Sequence, residues 1–229
     1  MKGAIMQPYL FPYIGYYQLA FEVEKFVFLD DVNYIKKGYI NRNTILAQCD
    51  QKKFSLPIKK ISQNRHICDH NYEKNHSKFL KTIEQAYKKA PFYQAVFPII
   101  INIILDPDLN VARKNAKTIT AVFEYLGLKR EFLFSSNTPI DSKKRGQDKI
   151  IELCQKLEIK RYRNPIGGFD LYDAEEFSSN YIELKFIKSE ITPYKQGECE
   201  FSPNLSIIDT LMHCNKSIIL QQLANYSLI

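Results

Sequence analysis

Between Met6 and Asn43 the chain interleaves tyrosines with amide, carboxylate and guanidinium groups: Gln7, Tyr9, Tyr13, Asp30, Asp31, Tyr34, Asn41, Arg42 and Asn43. A hydrophobic core has no use for that mixture. A pocket for a polar, ring-shaped ligand does, because a sugar offers hydroxyls to amides and carboxylates and C–H faces to aromatic rings. Asp30 or Asp31 could act as a general base toward a substrate amine or hydroxyl. Adjacent side chains on a strand point to opposite faces, so one of the pair is expected in the site. The planar fork of Arg42 suits a phosphate better than a lysine does. Asn164, Gly167 and Gly168, in the run NPIGG, form a tight turn with room for a ligand against the backbone. The spacing is neither a P-loop nor a dinucleotide fingerprint, so this turn reads equally as plain structure. Tyr194 and Gln196, with Ser206 and Asp209, are secondary candidates. Ser206 with Asp209 three residues on reads first as a capping box.

The elements that must position these groups follow from periodicity. Residues 3–6 read as a strand opening into a Pro-flanked loop, residues 14–23 as a helix, and residues 26–29 (FVFL) as a strand buried on both faces. Strand, loop, helix and strand in thirty-odd residues make a βαβ unit and predict a parallel sheet. Ligands of such sheets lie beyond the carboxyl ends of the strands, which places both the 7–13 loop and the 30–43 segment at one rim. Residues 53–57 suggest another strand, and residues 62–75 a polar irregular stretch. A helical block spans residues 77–126, broken near Pro91 and at residues 106–108, with Gly127 as its C-cap. Strands at 131–134, 161–163 and 182–187 follow, with a loop at 135–142 and helices at 144–157 and 206–213. The expected fold is α/β: a parallel, Rossmann-like sheet body with a mainly helical middle segment packed on it. It reads as a single domain over 1–229, with an α/β body of residues 1–57 and 131–229 and a helical insertion at 58–130.

Composition excludes disorder, with 45% hydrophobic and 13% aromatic residues. The longest apolar run, residues 95–105 (AVFPIIINIIL), is too short to span a bilayer and reads as a buried helix. No signal-peptide pattern opens the chain, so a cytoplasmic protein with no membrane insertion is expected. The net charge of +7 favours anionic partners, yet the lysines are dispersed, which suits a small anionic ligand better than a nucleic-acid surface. The five cysteines lack framework spacing and are expected to be reduced thiols. Cys154 falls on an apolar helix face and reads as core, Cys199 as an exposed thiol, and none is a firm nucleophile. His66, Cys68, His70 and His76 match no familiar zinc spacing, so a polar surface loop is expected there rather than a metal site.

The opening MQPYLFPYIGYYQL, the strand end FVFLDDVNY and the run NRN together resemble the start of the WbqC-like family. Further matches are YKKAPF at 87–92, Arg163 to Gly168 with Leu171 and Tyr172, and PNLSIIDTLM at 203–212, in order along nearly the whole chain. The resemblance implies a bacterial cytoplasmic protein of O-antigen or other surface-polysaccharide assembly. It further implies transfer of an acyl or aminoacyl group onto a nucleotide-linked amino sugar. The activated donor would be a thioester, an adenylate or an aminoacyl-tRNA, with tRNA entering only as aminoacyl carrier. The family pattern has His before its Gln-Pro where this chain has Met6, so a mechanism needing that imidazole has no counterpart here. Direct attack by the sugar amine is the expected mechanism, since it needs only orientation and a base. Two other functions fit the same residues: an adenylate-forming nucleotidyl transferase using the paired aspartates, and a non-catalytic sugar-nucleotide-binding accessory protein.

Overall fold

A computed structural model of the chain describes every residue except Ser142, so the last position of the expected 135–142 loop lies outside the described residues. Strand β1 (Lys2–Met6) leads through the proline-flanked loop into helix α1 (Ile14–Glu22) and strand β2 (Lys25–Phe28). β1 and β2 pair in parallel, Ala4 against Phe26 and Met6 against Phe28, as the βαβ reading requires. Strand β5 (Glu131–Phe134) adds in parallel to the outer side of β2. Strand β6 (Arg161–Pro165) adds to the other side of β1, β7 (Glu183–Ser189) beyond it, and β8 (Tyr226–Leu228) closes that edge antiparallel. The strand order β5-β2-β1-β6-β7-β8 therefore reverses direction between β1 and β6.

Each strand feeds two cores because neighbouring side chains alternate. Ala4, Phe26 and Phe28 face the larger core, and Ile5, Val27 and Tyr162 the smaller one. The larger core holds α1 together with the middle helices α2 (Ser77–Tyr87), α3 (Tyr93–Leu105) and α4 (Val111–Leu126). Helix α4 ends at Gly127, whose φ of +74° is the left-handed cap conformation that glycine adopts at no steric cost. The smaller core lies under α5 (Gly146–Lys156) and α6 (Ala174–Ser179). Helices α7 (Ile207–His213) and α8 (Lys216–Ala224) return to the larger core. Among the described residues no helix is long and apolar enough to cross a membrane.

Two local expectations are revised. The strand placed at 53–57 is β4 (Asp50–Ser55), and it pairs antiparallel with β3 (Arg42–Ala47) in a separate hairpin outside the main sheet. The cysteines are not all reduced: Cys49, at the hairpin turn, is disulfide-bonded to half-buried Cys199, across 150 residues of chain. The expectation failed because pairing at that separation depends on tertiary contacts that sequence spacing does not encode.

Candidate functional site

A cavity of about 680 Å3 opens beyond the carboxyl ends of β1, β2 and β6, at the point where the strand order reverses. Parallel sheets leave a crevice there because the connections on either side run to opposite faces. Its aromatic wall consists of Tyr9, Tyr13, Tyr16, Tyr39 and Tyr172, and its amide groups are Gln7, Asn43, Asn164 and Asn204. Met6, Leu29, Pro165 and Leu171 supply apolar surface, and Gly167 and Gly168 complete the β6 side. No acidic, basic or histidine side chain is among these lining residues.

The 7–13 loop is held by polar pins from distant segments. Asn43 Nδ2 donates to the carbonyls of Leu10 (3.2 Å) and Phe11 (2.8 Å). Ser206 Oγ also donates to the Phe11 oxygen (2.8 Å), and Asn115 Nδ2 to that of Pro8 (2.9 Å). Phe11 itself has a φ of +42°, so these bonds fix a backbone bend that an L-residue seldom adopts. The Tyr16 hydroxyl donates to the Gln7 carbonyl (2.9 Å) and sets the Gln7 side chain at the cavity floor. There the Gln7 carboxamide oxygen is buried without a hydrogen-bond partner among the described residues. Buried acceptors are nearly always satisfied, and this one shares its state with Gln18 Oε1 and both His76 ring nitrogens elsewhere in the chain.

Two glycines make room for cavity side chains. A Cβ on Gly15 would stand 2.4 Å from the Tyr13 ring, and one on Gly168 would stand 2.0 Å from Asn164 Nδ2. Gly168→Ala is therefore expected to push the Asn164 amide out of its position and weaken ligand binding by roughly five-fold, the loss of one neutral hydrogen bond. Calorimetric titration checks this, with a thermal melt to show that the variant remains folded.

Burial raises the Tyr9 phenol, with Tyr13 and Tyr39 adding to the shift, and burial also raises Tyr13. Both stay protonated at neutral pH and serve as hydrogen-bonding and stacking groups rather than as bases.

The expected site residues thus divide. Gln7, Tyr9, Tyr13, Asn43, Asn164, Gly167 and Gly168 line one cavity; Asp30, Asp31, Tyr34, Asn41, Arg42 and Tyr194 are not among its lining residues. Asp30 is 3% exposed and accepts from the Ser136 amide (3.0 Å) and hydroxyl (2.8 Å), tying the end of β2 to that of β5. Asp31 pairs with Lys149 (2.8 Å) and accepts from the Ser135 hydroxyl. The Tyr34 hydroxyl donates to Asn41 Oδ1 (2.7 Å), and Asn41 Nδ2 to the Leu56 carbonyl (2.8 Å). Arg42 donates to the carbonyls of Gly38 (3.0 Å) and Lys37, so its fork holds the loop that presents Tyr39. Tyr194 belongs to a separate buried network around Asp209. Asp209 is fully buried and accepts from Tyr87, Tyr194 and Gln196, which corrects its expected part in a capping box. Ser206 does cap α7, accepting from the Ile208 amide.

Burial pushes the Asp31 carboxyl up, but the Lys149 ammonium and the Ser135 hydroxyl outweigh it and hold it below its ordinary 3.8. The pair's contribution to stability is therefore complete above that value and disappears as pH falls through the lower folded-state value. Lys149→Met is expected to lower stability most near pH 8 and least at the acid end, so that the acid-side slope flattens. Urea titrations across pH 2.5–8, an arbitrary working range of about six units, read it directly.

Tyr39, Tyr172 and Asn204 were missed. Tyr39 is 59% exposed at the rim, and all three sit on connecting segments with no periodic signal. The histidine stretch is also revised, since His70 and His76 are buried rather than on a surface loop. Both His70 ring nitrogens are occupied, one against the His66 carbonyl (2.7 Å) and one accepting from Ser62 (3.1 Å). His66, Cys68 and Asp69 do bring ligand atoms within 4.8 Å of one another, but His66 and Asp69 cap each other's backbone. Burial and the Asp30 charge push the Cys68 thiol up to about 11, and burial and Asp209 push Cys214 up to about 12. Cys154 is buried in the smaller core, and its thiol is raised by that burial. None of the three is a ready thiolate.

Fold and cavity together define an open, doubly wound α/β protein with a neutral, tyrosine-walled cavity at its switch point. The WbqC-like protein family model matches residues 7–220, and the chain belongs to that family. It is also 24% identical over 221 residues to the uncharacterized protein Rv1507c of Mycobacterium tuberculosis, with 93% of each chain covered. No solved structure matches. The segments that carried the sequence resemblance coincide with the cavity: the first carries Gln7, Tyr9 and Tyr13, and NRN and PNLS supply Asn43 and Ser206, which pin the loop bearing them.

Proposed function

We propose that the cavity binds the sugar of a nucleotide-linked amino sugar, and that the protein is a cytoplasmic transferase of surface-polysaccharide assembly placing an acyl or aminoacyl group on its amine. The observation that carries this reading is the cavity lining itself, five tyrosines with the amide side chains of Gln7, Asn43, Asn164 and Asn204 and no charged group. A sugar ring stacks on phenol faces and exchanges hydrogen bonds with amides, whereas a bare phosphate would meet no cation there.

Without a carboxylate or imidazole in its lining, the cavity contributes orientation. The unprotonated amine attacks the donor's carbonyl carbon. The acyl–sulfur or acyl–oxygen bond breaks; a leaving thiolate or ribose alkoxide takes the ammonium proton, whereas an adenylate releases AMP and the proton passes to water. The adenylate-forming alternative gains no support from the paired aspartates, whose carboxylates are engaged by Ser135, Ser136 and Lys149. The accessory-protein alternative is favoured by the same neutrality, since binding needs no proton acceptor.

Thermal shift with nucleotide-linked amino sugars, CoA thioesters and ATP separates these, followed by mass spectrometry for an acylated sugar. Stabilisation by the amino sugar and a mass gain with a thioester or aminoacyl donor are expected. A response to ATP alone sinks the proposal, and binding without turnover across the donors leaves the accessory role in its place.

A further inference from the structure

A second cavity, of about 390 Å3, lies between the tip of the β3–β4 hairpin and the segment that precedes α7. The Cys49–Cys199 disulfide, Tyr87 and His213 line it, with exposed Lys89 and Lys195 against a single acidic residue, Glu198. Behind it stands the buried Asp209, which accepts from the hydroxyls of Tyr87 (2.9 Å) and Tyr194 (2.8 Å) and from Gln196 Nε2 (2.8 Å). His213 Nδ1 lies 3.0 Å from the Asp209 carbonyl oxygen and 3.6 Å from its Oδ1. That leaves Nε2 as the ring nitrogen available to the cavity. Burial disfavours the imidazolium, but the bonds and charge of Asp209 outweigh this and raise His213. The sugar cavity uses none of these groups.

We infer that the Cys49–Cys199 disulfide is a site of thiol–disulfide exchange with small anionic thiols, with His213 as the proton donor to the departing sulfur. The incoming thiolate attacks the sulfur of Cys49, the exposed partner. The Cys49–Cys199 bond breaks and its electron pair passes to the Cys199 sulfur, half-buried on the cavity wall. His213 supplies the proton, and Asp209 holds the imidazolium in place for it. A second thiolate then attacks the mixed disulfide on Cys49, releasing the small-molecule disulfide and leaving both cysteines reduced. The two thiols supply both electrons. Lys89 and Lys195 favour an anionic attacker, because opposite charges raise its local concentration. Exchangeable disulfides are the kind that reducing compartments admit, which agrees with a cytoplasmic protein.

The test uses oxidised full-length protein, treated with thioglycolate, 2-mercaptoethanol or cysteamine. Each rate is divided by the same thiol's rate on a small-molecule disulfide, and the cysteines are mapped by alkylation and mass spectrometry. At low salt thioglycolate is expected to lead cysteamine by about three-fold or more, a gap that closes at high salt. The surface variant Lys89→Ala/Lys195→Ala should close it as well. His213→Gln should slow all three thiols by about three-fold or more, with the first adduct on Cys49 in every case. The inference is overturned if the oxidised protein holds no Cys49–Cys199 linkage. It is equally overturned if the normalised rates ignore thiol charge and neither variant changes them.

Discussion

Asp209→Ala is expected to destabilise the protein by about 3–5 kcal/mol, lowering Tm by on the order of 10 °C. The carboxylate is fully buried, and its removal strands the Tyr87 hydroxyl and leaves Tyr194, Gln196 and His213 with only Thr210 Oγ1, the Ser202 carbonyl and the residue 209 carbonyl, around a small void. Such a loss exceeds that of an ordinary surface change because a buried hydroxyl is left desolvated with no acceptor and three more donors lose a charge-assisted bond. Asp209→Asn keeps the shape and one acceptor but loses the charge, so its cost should be roughly half as large. The network also has a pH signature. His213 titrates above its ordinary 6.5 in the folded chain, so its contribution is complete below that value and is lost as pH rises through the folded-state value. In Asp209→Asn this alkaline-side loss should flatten, which guanidinium titrations at pH 6 and pH 9, about three units apart, would show.

The second large effect is expected at Asn43. Asn43→Asp preserves volume but turns a donor to the Leu10 and Phe11 carbonyls into a carboxylate facing both of them. A cost of about 3 kcal/mol follows from the buried, unpaired charge and the orphaned Leu10 carbonyl, while the Phe11 carbonyl keeps only Ser206. Asn43→Ala should cost less, about 2 kcal/mol, because it removes the two bonds without adding repulsion. Both variants should also weaken ligand binding, since the loop that Asn43 fixes carries Tyr9 and Tyr13 into the cavity. Chemical denaturation read beside a binding isotherm distinguishes a loosened loop from a merely less stable protein.

The first strand, helix and strand were legible because their signals are local: an all-apolar FVFL run, helical spacing after the prolines, and strand ends rich in polar groups. The carboxyl-edge rule then placed the 7–13 loop correctly at the cavity. It could not place Asp30 and Asp31, whose partners Ser135, Ser136 and Lys149 lie more than a hundred residues away in sequence. The β3–β4 hairpin escaped notice for a different reason. Its turn residues, Gln48 and Cys49, adopt φ of +54° and +65°, a conformation whose usual sequence mark is Asn-Gly or Asp-Gly. Without that mark, the strand read at 53–57 had no visible turn before it and no antiparallel partner at residues 42–47. The composition of the opening segment did indicate a polar pocket, but it mixed two kinds of residue: those that face the ligand, and those such as Arg42 and Asn41 that hold the loops presenting them.

The most direct measurement is calorimetric titration of a panel of nucleotide-linked amino sugars into the protein and into Gln7→Ala, Tyr13→Ala and Asp31→Asn. A member of the panel should bind the unaltered chain, with affinity reduced about ten-fold in the first two variants and by less than about two-fold in the third, in line with one stacking ring or one buried acceptor lost. Loss of binding in Asp31→Asn alone, or equal affinity in all four proteins, would place the ligand somewhere other than the tyrosine-walled crevice.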